Sequence, residues 1–201
     1  GAGWVDAIDR AARRIDVLAS GGAAAGPAAP AAAAGPDLRR AREHLHHERY
    51  AQTLEQLGGL PLEHADDPDV LLLKAVSLSH SGALAEAEAV CRRLLAQDEL
   101  NAGAHYVLAL CREGAGDVAG ALGHNQSAAY LDPEFAMPRL HIGLLARRQG
   151  EREAARRDLA QALLLLQKED PARLLLFGGG FKREALIALC RAELAAFGEG
   201  A

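Results

Sequence analysis

Three groups of side chains in this sequence have types and spacings that could do chemistry. His44 and His47, with His46 between them, stand three residues apart, a helical spacing at which two imidazoles can share a metal ion. No third ligand accompanies them in a zinc-type pattern. Glu43, Glu48 and Arg49 surround them, which suits a polar, solvated helix end better. Gly178-Gly179-Gly180 precedes a helical stretch, and glycine-rich loops at helix N-termini can cradle phosphate. The run lacks a Gly-Lys-Ser/Thr ending and a strand of a doubly wound sheet before it, so a tight turn is expected. Arg147, Arg148, Arg152, Arg156 and Arg157 could meet an acidic partner. Glu151, Glu153 and Asp158 are interleaved with them, which favours pairing along a helix surface. The sequence has no Gly-x-Ser-x-Gly elbow, no His-Glu-x-x-His helix and no dinucleotide fingerprint. No catalytic residue, metal or cofactor is therefore expected in this chain.

Composition narrows the classes further. Half of the 201 residues are apolar, enough for a sizeable core, yet only 4% are aromatic. Ala and Leu dominate, which favours close-packed helices over a sandwich or barrel. A net charge of −5 argues against a nucleic-acid binder. No apolar run approaches the length of a membrane span. Cys91, Cys111 and Cys190 are odd in number and far apart, so they form neither a disulfide framework nor a zinc site. They read as reduced core residues of a cytoplasmic protein. The chain opens Gly1-Ala2-Gly3 without Met, as expected of a piece of a longer protein.

The elements that must position these residues come from a repeat. Gly82, Gly116 and Gly150 lie 34 residues apart, as do Ala87, Ala121 and Ala155, and as do Ala75, Ala109 and Gly143. Three small-residue columns in one register are the signature of the tetratricopeptide repeat, a helical hairpin that stacks into a solenoid. The glycines fall where the chain must turn sharply between helices. The alanines fall where two helices cross closely. Running the register backwards places Ala41, Glu48 and Thr53 in the same columns, a degenerate first repeat. The expectation is an all-α solenoid of about four hairpins, at 34–67, 68–101, 102–135 and 136–169. Residues 170–201 then supply the Gly-rich turn and a helix near Lys182–Phe197 that caps the last open face. Asp67-Pro68 reads as a helix start and Asp117 as a cap, whereas Glu169-Asp170-Pro171 reads as the end of repeat four. Before the repeats, residues 1–19 hold an extra amphipathic helix, Trp4 to Leu18. Residues 20–36 are an Ala/Gly/Pro linker.

In such a solenoid the first helix of each hairpin lines the concave surface. That selects Arg42 and His46 from repeat one, Leu72, Val76 and His80 from repeat two, and Tyr106 and Leu110 from repeat three. Repeat four adds Leu140, Leu144, Arg147 and Arg148. The set is apolar with basic edges, suited to an amphipathic helix or extended peptide carrying acidic residues. Occupation of the groove from within, by the Trp4–Leu18 helix for instance, is the competing expectation.

The C-terminal half is more particular. Tyr130-Leu131-Asp132-Pro133-Glu134-Phe135-Ala136-Met137-Pro138 runs into His141-Ile142-Gly143-Leu144-Leu145-Ala146-Arg147-Arg148. Phe177-Gly178-Gly179-Gly180-Phe181 and a helix through Leu189-Cys190-Arg191-Ala192-Glu193-Leu194 follow. This resembles the C-terminal repeat region of bacterial CheR-type chemoreceptor methyltransferases, over about Leu84 to Phe197. The resemblance implies a non-catalytic appendage to an S-adenosylmethionine-dependent protein-glutamate methyltransferase, with that cofactor bound by a domain outside this chain. The implied partners are a chemoreceptor cytoplasmic domain, the methyltransferase domain itself or another signalling protein. Nucleic acid and membrane insertion are not expected. A generic repeat adaptor in some other pathway is the alternative.

Overall fold

The computed structural model describes residues 35–197. The Trp4–Leu18 helix and nearly all of the proposed linker lie outside the described residues. Ten α-helices and one 3-10 turn make up the described part, arranged as antiparallel hairpins. The first hairpin is α1 (Arg39–His46) and α2 (Tyr50–Gly58). Gly58-Gly59 and Pro61 stop α2 early, and the turn Leu62–His64 leads to the next hairpin. That is α3 (Pro68–His80) and α4 (Leu84–Gln97), followed by α5 (Ala102–Gly114) and α6 (Val118–Leu131), then α7 (Ala136–Arg148) and α8 (Arg152–Lys168).

Each hairpin starts and turns for local reasons. The Asp67 carboxylate accepts from Asp69 N at 2.9 Å with Pro68 in the first turn, and Asn101 and Asp117 cap α5 and α6 likewise. Gly82, Gly116 and Gly150 have φ of 84°, 78° and 78°. Behind each, an amide reaches back five residues: Ala83 N to Leu78 O, Asp117 N to Arg112 O and Glu151 N to Ala146 O, at 2.9–3.0 Å. This is the Schellman closure, which satisfies carbonyls that a helix end leaves orphaned. The first repeat makes the same turn without glycine. Glu48 takes φ 56°, and Arg49 N reaches His44 O at 2.9 Å.

The alanine columns meet where the register puts them. Ala41, Ala75, Ala87, Ala109, Ala121 and Ala155 are fully buried. The Thr53 hydroxyl, standing in the second-helix column, donates to Arg49 O at 3.1 Å and reaches Ala41 O, in the first-helix column, at 3.4 Å. At Gly143 the helices are closer still: a Cβ there would stand 2.7 Å from Leu159 Cγ and 3.0 Å from Leu159 N. The cysteines are buried, and burial pushes Cys91 up to about 12 and Cys111 and Cys190 up to about 11. These thiols stay protonated and act as small apolar side chains.

The chain after α8 departs from expectation. α8 stops at Lys168, where the Glu169-Asp170-Pro171 stretch was read as an end, but Asp170-Pro171 also opens a further helix, α9 (Pro171–Phe177), with Asp170 accepting from Ala172 N at 2.7 Å. The physical signal is the one read correctly at Asp67-Pro68, an acidic cap before a first-turn proline. Glu169 sets the direction. Its buried carboxylate accepts from Ala136 N at 2.8 Å and so caps α7, while Arg173 lies 3.5 Å from it and 2.9 Å from Asp132. Gly179 and Gly180, with φ of 61° and 80°, then reverse the chain into α10 (Arg183–Ala195). Leu186 and Cys190 of α10 are buried, and the helix packs along α8 as the terminal cap.

Candidate protein-binding groove

The inner surface is lined by α1, α3, α5 and α7, and α9 lies against the first two of them. Phe177 carries α9 into the surface. Its ring centroid is 4.9 Å from that of Phe135 and 5.6 Å from that of Tyr106, edge-on to the latter. A Cβ on Gly103 would come within 2.9 Å of its Cζ, so the absent side chain at Gly103 makes room for the ring. The Tyr106 hydroxyl, fully desolvated, donates to Phe177 O at 3.3 Å and lies 3.2 Å from His141 Nε2. Burial, with the nearby charge of Glu113, drives the Tyr106 phenol far above its usual range. His141 Nδ1 donates to Glu113 Oε2 at 3.1 Å, and Glu113 also pairs with Arg148. The hydrogen bond from His141 and the pairing with Arg148 hold Glu113 down to about 2, against the opposing pull of burial.

Several hollows border the segment, and three of them lie towards α1, α3, α5 and α7. One of about 480 Å³ is almost wholly apolar and lies between the inner helices (His80, Leu110, Leu140, Leu144) and the returning chain (Phe177, Phe181, Leu189). Phe181 and Leu189 are 64% and 38% exposed at its edge. A second, of about 390 Å³, lies among Leu45, His46, Tyr50, His80 and the 174–184 stretch. A third, of about 320 Å³, joins Arg42 and Leu45 to α9. His80 stacks on Tyr50 with centroids 5.4 Å apart, and burial lowers its pKa while Glu48 pulls the other way.

No family model matches the chain. Among solved structures, PcrH in complex with the chaperone binding region of PopD is 22% identical, with a TM-score of 0.53 over 69% of this chain and 93% of that one. The Yersinia enterocolitica type III secretion translocator chaperone SycD is 20% identical, with a TM-score of 0.52 over 76% and 96%. MamA is 14% identical, with a TM-score of 0.53 over 79% and 86%. At these identities the likeness concerns the fold. The chain is a tetratricopeptide-type solenoid. Among curated proteins, this solenoid is similar to the probable biofilm formation methyltransferase WspC of Pseudomonas putida, with 33% identity over 96 residues. The match takes in 47% of this chain and 23% of that protein, so the chain spans less than a quarter of its relative. The finding agrees with the CheR-type resemblance read from the C-terminal half.

The solenoid brings some of the selected groove residues together and separates others. His80, Tyr106, Leu110, Leu140 and Leu144 converge on the 480 Å³ hollow. Arg42 and His46 border the other two hollows, and Arg42 lies 3.6 Å from Asp69. Tyr106 and Leu140, selected as contact surface, are only 1–2% exposed at the floor of that hollow, and Val76, 1% exposed, lies in the core. Leu72 is half-buried against Gly103. The basic edge is also altered: Arg147 pairs with Glu193 of α10 and Arg148 with Glu113. Arg152 donates to Phe197 O at 3.1 Å, and Arg157 lies 3.1 Å from Asp158. Among the described residues, only Asp158 of the interleaved carboxylates takes one of these arginines, Arg157, whereas Arg147 and Arg148 are neutralised by Glu193 and Glu113 from other elements. His44, His46 and His47 stand at the end of α1 and the turn after it, and among the described residues no group of three or more His, Cys, Asp or Glu is placed to hold a metal. What the sequence reading missed is the lining from within, Phe177 above all. The proline-capped start of α9 could have flagged it.

Proposed function

We propose that this chain is a non-catalytic interaction module that tunes or targets an S-adenosylmethionine-dependent chemoreceptor methyltransferase in bacterial chemosensory signalling. The observation that carries this is the 33% identity with a methyltransferase over 96 residues, in a solenoid whose inner face holds apolar hollows rather than a set of reacting groups. The partner is a protein or peptide segment: the methyltransferase domain of the parent chain, a receptor cytoplasmic domain or another signalling protein. S-adenosylmethionine belongs to the parent's catalytic domain, and the setting is the cytoplasm. Among the described residues no helix is long and apolar enough to cross a membrane, which suits a module of this kind.

An adaptor role outside methylation is the second reading, favoured by the shape shared with PcrH, which was solved with the chaperone binding region of PopD. Pull-down of the chain with the methyltransferase domain and with chemoreceptor cytoplasmic domains separates the two. Capture of either supports the methyltransferase reading; capture of neither overturns it.

A further inference from the structure

We propose that residues 171–177 are a built-in ligand of the inner face, and that a partner segment of the same chemistry, a short leucine-rich helix ending in an aromatic residue, exchanges with it. This rests on the interaction-module reading above and names the chemistry its groove accepts.

The segment is seated as a ligand is seated. Phe177 is the anchor, 6% exposed between Tyr106, Phe135 and the gap at Gly103. The Tyr106 hydroxyl supplies one polar bond, to a backbone carbonyl, which any peptide offers. That is the arrangement of helix-in-groove recognition: an apolar pocket for affinity and a convergent polar group for register. Charge plays little part, because Arg147 and Arg148 are already paired with Glu193 and Glu113. The favoured partner segment is therefore apolar at its anchor, not acidic.

The segment is also separable. It lies outside the 34-residue register and follows the last hairpin helix, α8. It is seven residues long and ends at Gly178-Gly179-Gly180, where two left-handed glycines form a ready hinge. Hollows of about 390, 320 and 480 Å³ run along it. At its base Arg173 reaches Asp132 and Glu169, and these pairs tether it while its Phe177 end opens. Only Leu174 and Phe177 of its seven residues are buried, and an element with few buried side chains belongs to the low-stability end of a structure. A tethered copy acts at an effective concentration on the order of millimolar, so a free segment competes poorly until the tethered anchor is removed.

The test uses a fluorescent peptide copying residues 171–181, titrated by anisotropy against the wild-type chain and a Phe177→Ala chain. The variant should bind it at least about tenfold more tightly than wild type does. Adding Tyr106→Phe to that variant should weaken the peptide several-fold, and a peptide carrying Phe177→Ala should not bind. Equal binding to both chains, no binding to either, or equal binding of the alanine peptide overturns the proposal. Hydrogen exchange on the wild-type chain guards against a misfolded variant. Amides of residues 174–178 should exchange far faster than those of α7 and α8, and equal protection overturns the proposal. If exchange fails while the chain still captures the methyltransferase domain or a receptor, only this inference falls.

Discussion

The Tyr106 hydroxyl lies 3.3 Å from the carbonyl oxygen of Phe177, 71 residues further along the chain, and at the same time 3.2 Å from His141 Nε2. One phenol therefore joins the third repeat, the fourth repeat and the segment that returns across the inner face.

Removing that hydroxyl should loosen the returning segment without unfolding the solenoid. Tyr106→Phe keeps the ring against Phe135 and Phe177 and costs about 1 kcal/mol, the net value of one buried hydrogen bond. Thermal melting should show a small downward shift, and proteolysis should cut sooner within residues 171–182. An unchanged pattern in both would remove the phenol from the docking of α9.

Acid should act at Glu113. Its folded-state pKa of about 2 lies below the ordinary carboxylate value of 4.5, because His141 donates to it and Arg148 pairs with it. A depressed carboxylate contributes stability that is complete above its unfolded value and fades as pH falls through its folded one. The stability gap between wild type and Glu113→Gln should thus be full above about pH 4.5 and close towards pH 2. Urea titrations at several pH values measure it, and a gap independent of pH would contradict the assignment.

The four repeat turns offer a comparison inside one chain. Glu48 holds a left-handed conformation that its three counterparts give to glycine. Glu48→Gly should raise stability by about 1 kcal/mol, and Gly116→Ala should lower it by a similar amount. Opposite signs by chemical denaturation are the expected outcome; equal signs would contradict the common turn.

Asn125 stands 34 residues after Cys91 and 34 before Leu159, in a column otherwise filled by apolar or weakly polar side chains. It is fully buried, and neither its amide oxygen nor its nitrogen has a hydrogen-bond partner among the described residues. An unsatisfied buried amide costs roughly 1–3 kcal/mol, so Asn125→Cys should raise the melting temperature. A fall would show that the amide is satisfied or that the cavity needs its volume.

How much of this was readable follows from range in sequence. The hairpins repeat every 34 residues, so each small residue has a counterpart that confirms it, and even Glu48 was located by subtraction. Gly143, by contrast, shows why its column tightens only once the 3.0 Å approach to Leu159 N is known. Hairpin geometry selects faces of the first helices, and several of the residues so chosen line the hollows. Which of them remain accessible was not readable. Val76, Tyr106 and Leu140 are almost wholly buried by tertiary packing, and the Phe177–Tyr106 contact has no repeat partner to announce it. Likewise, the arginine pair looked like a basic edge because Glu193 lies in a helix that the register does not place.

As proposed, this solenoid acts on a methyltransferase without doing chemistry itself. The most direct measurement is methyl transfer from S-adenosylmethionine to chemoreceptor glutamates by the parent's catalytic domain, with and without this chain. Added chain should change the rate or the receptor concentration at half-maximal rate, saturably, and should have no activity alone. An unchanged rate at saturating chain, with no complex formed with enzyme or receptor, would contradict it.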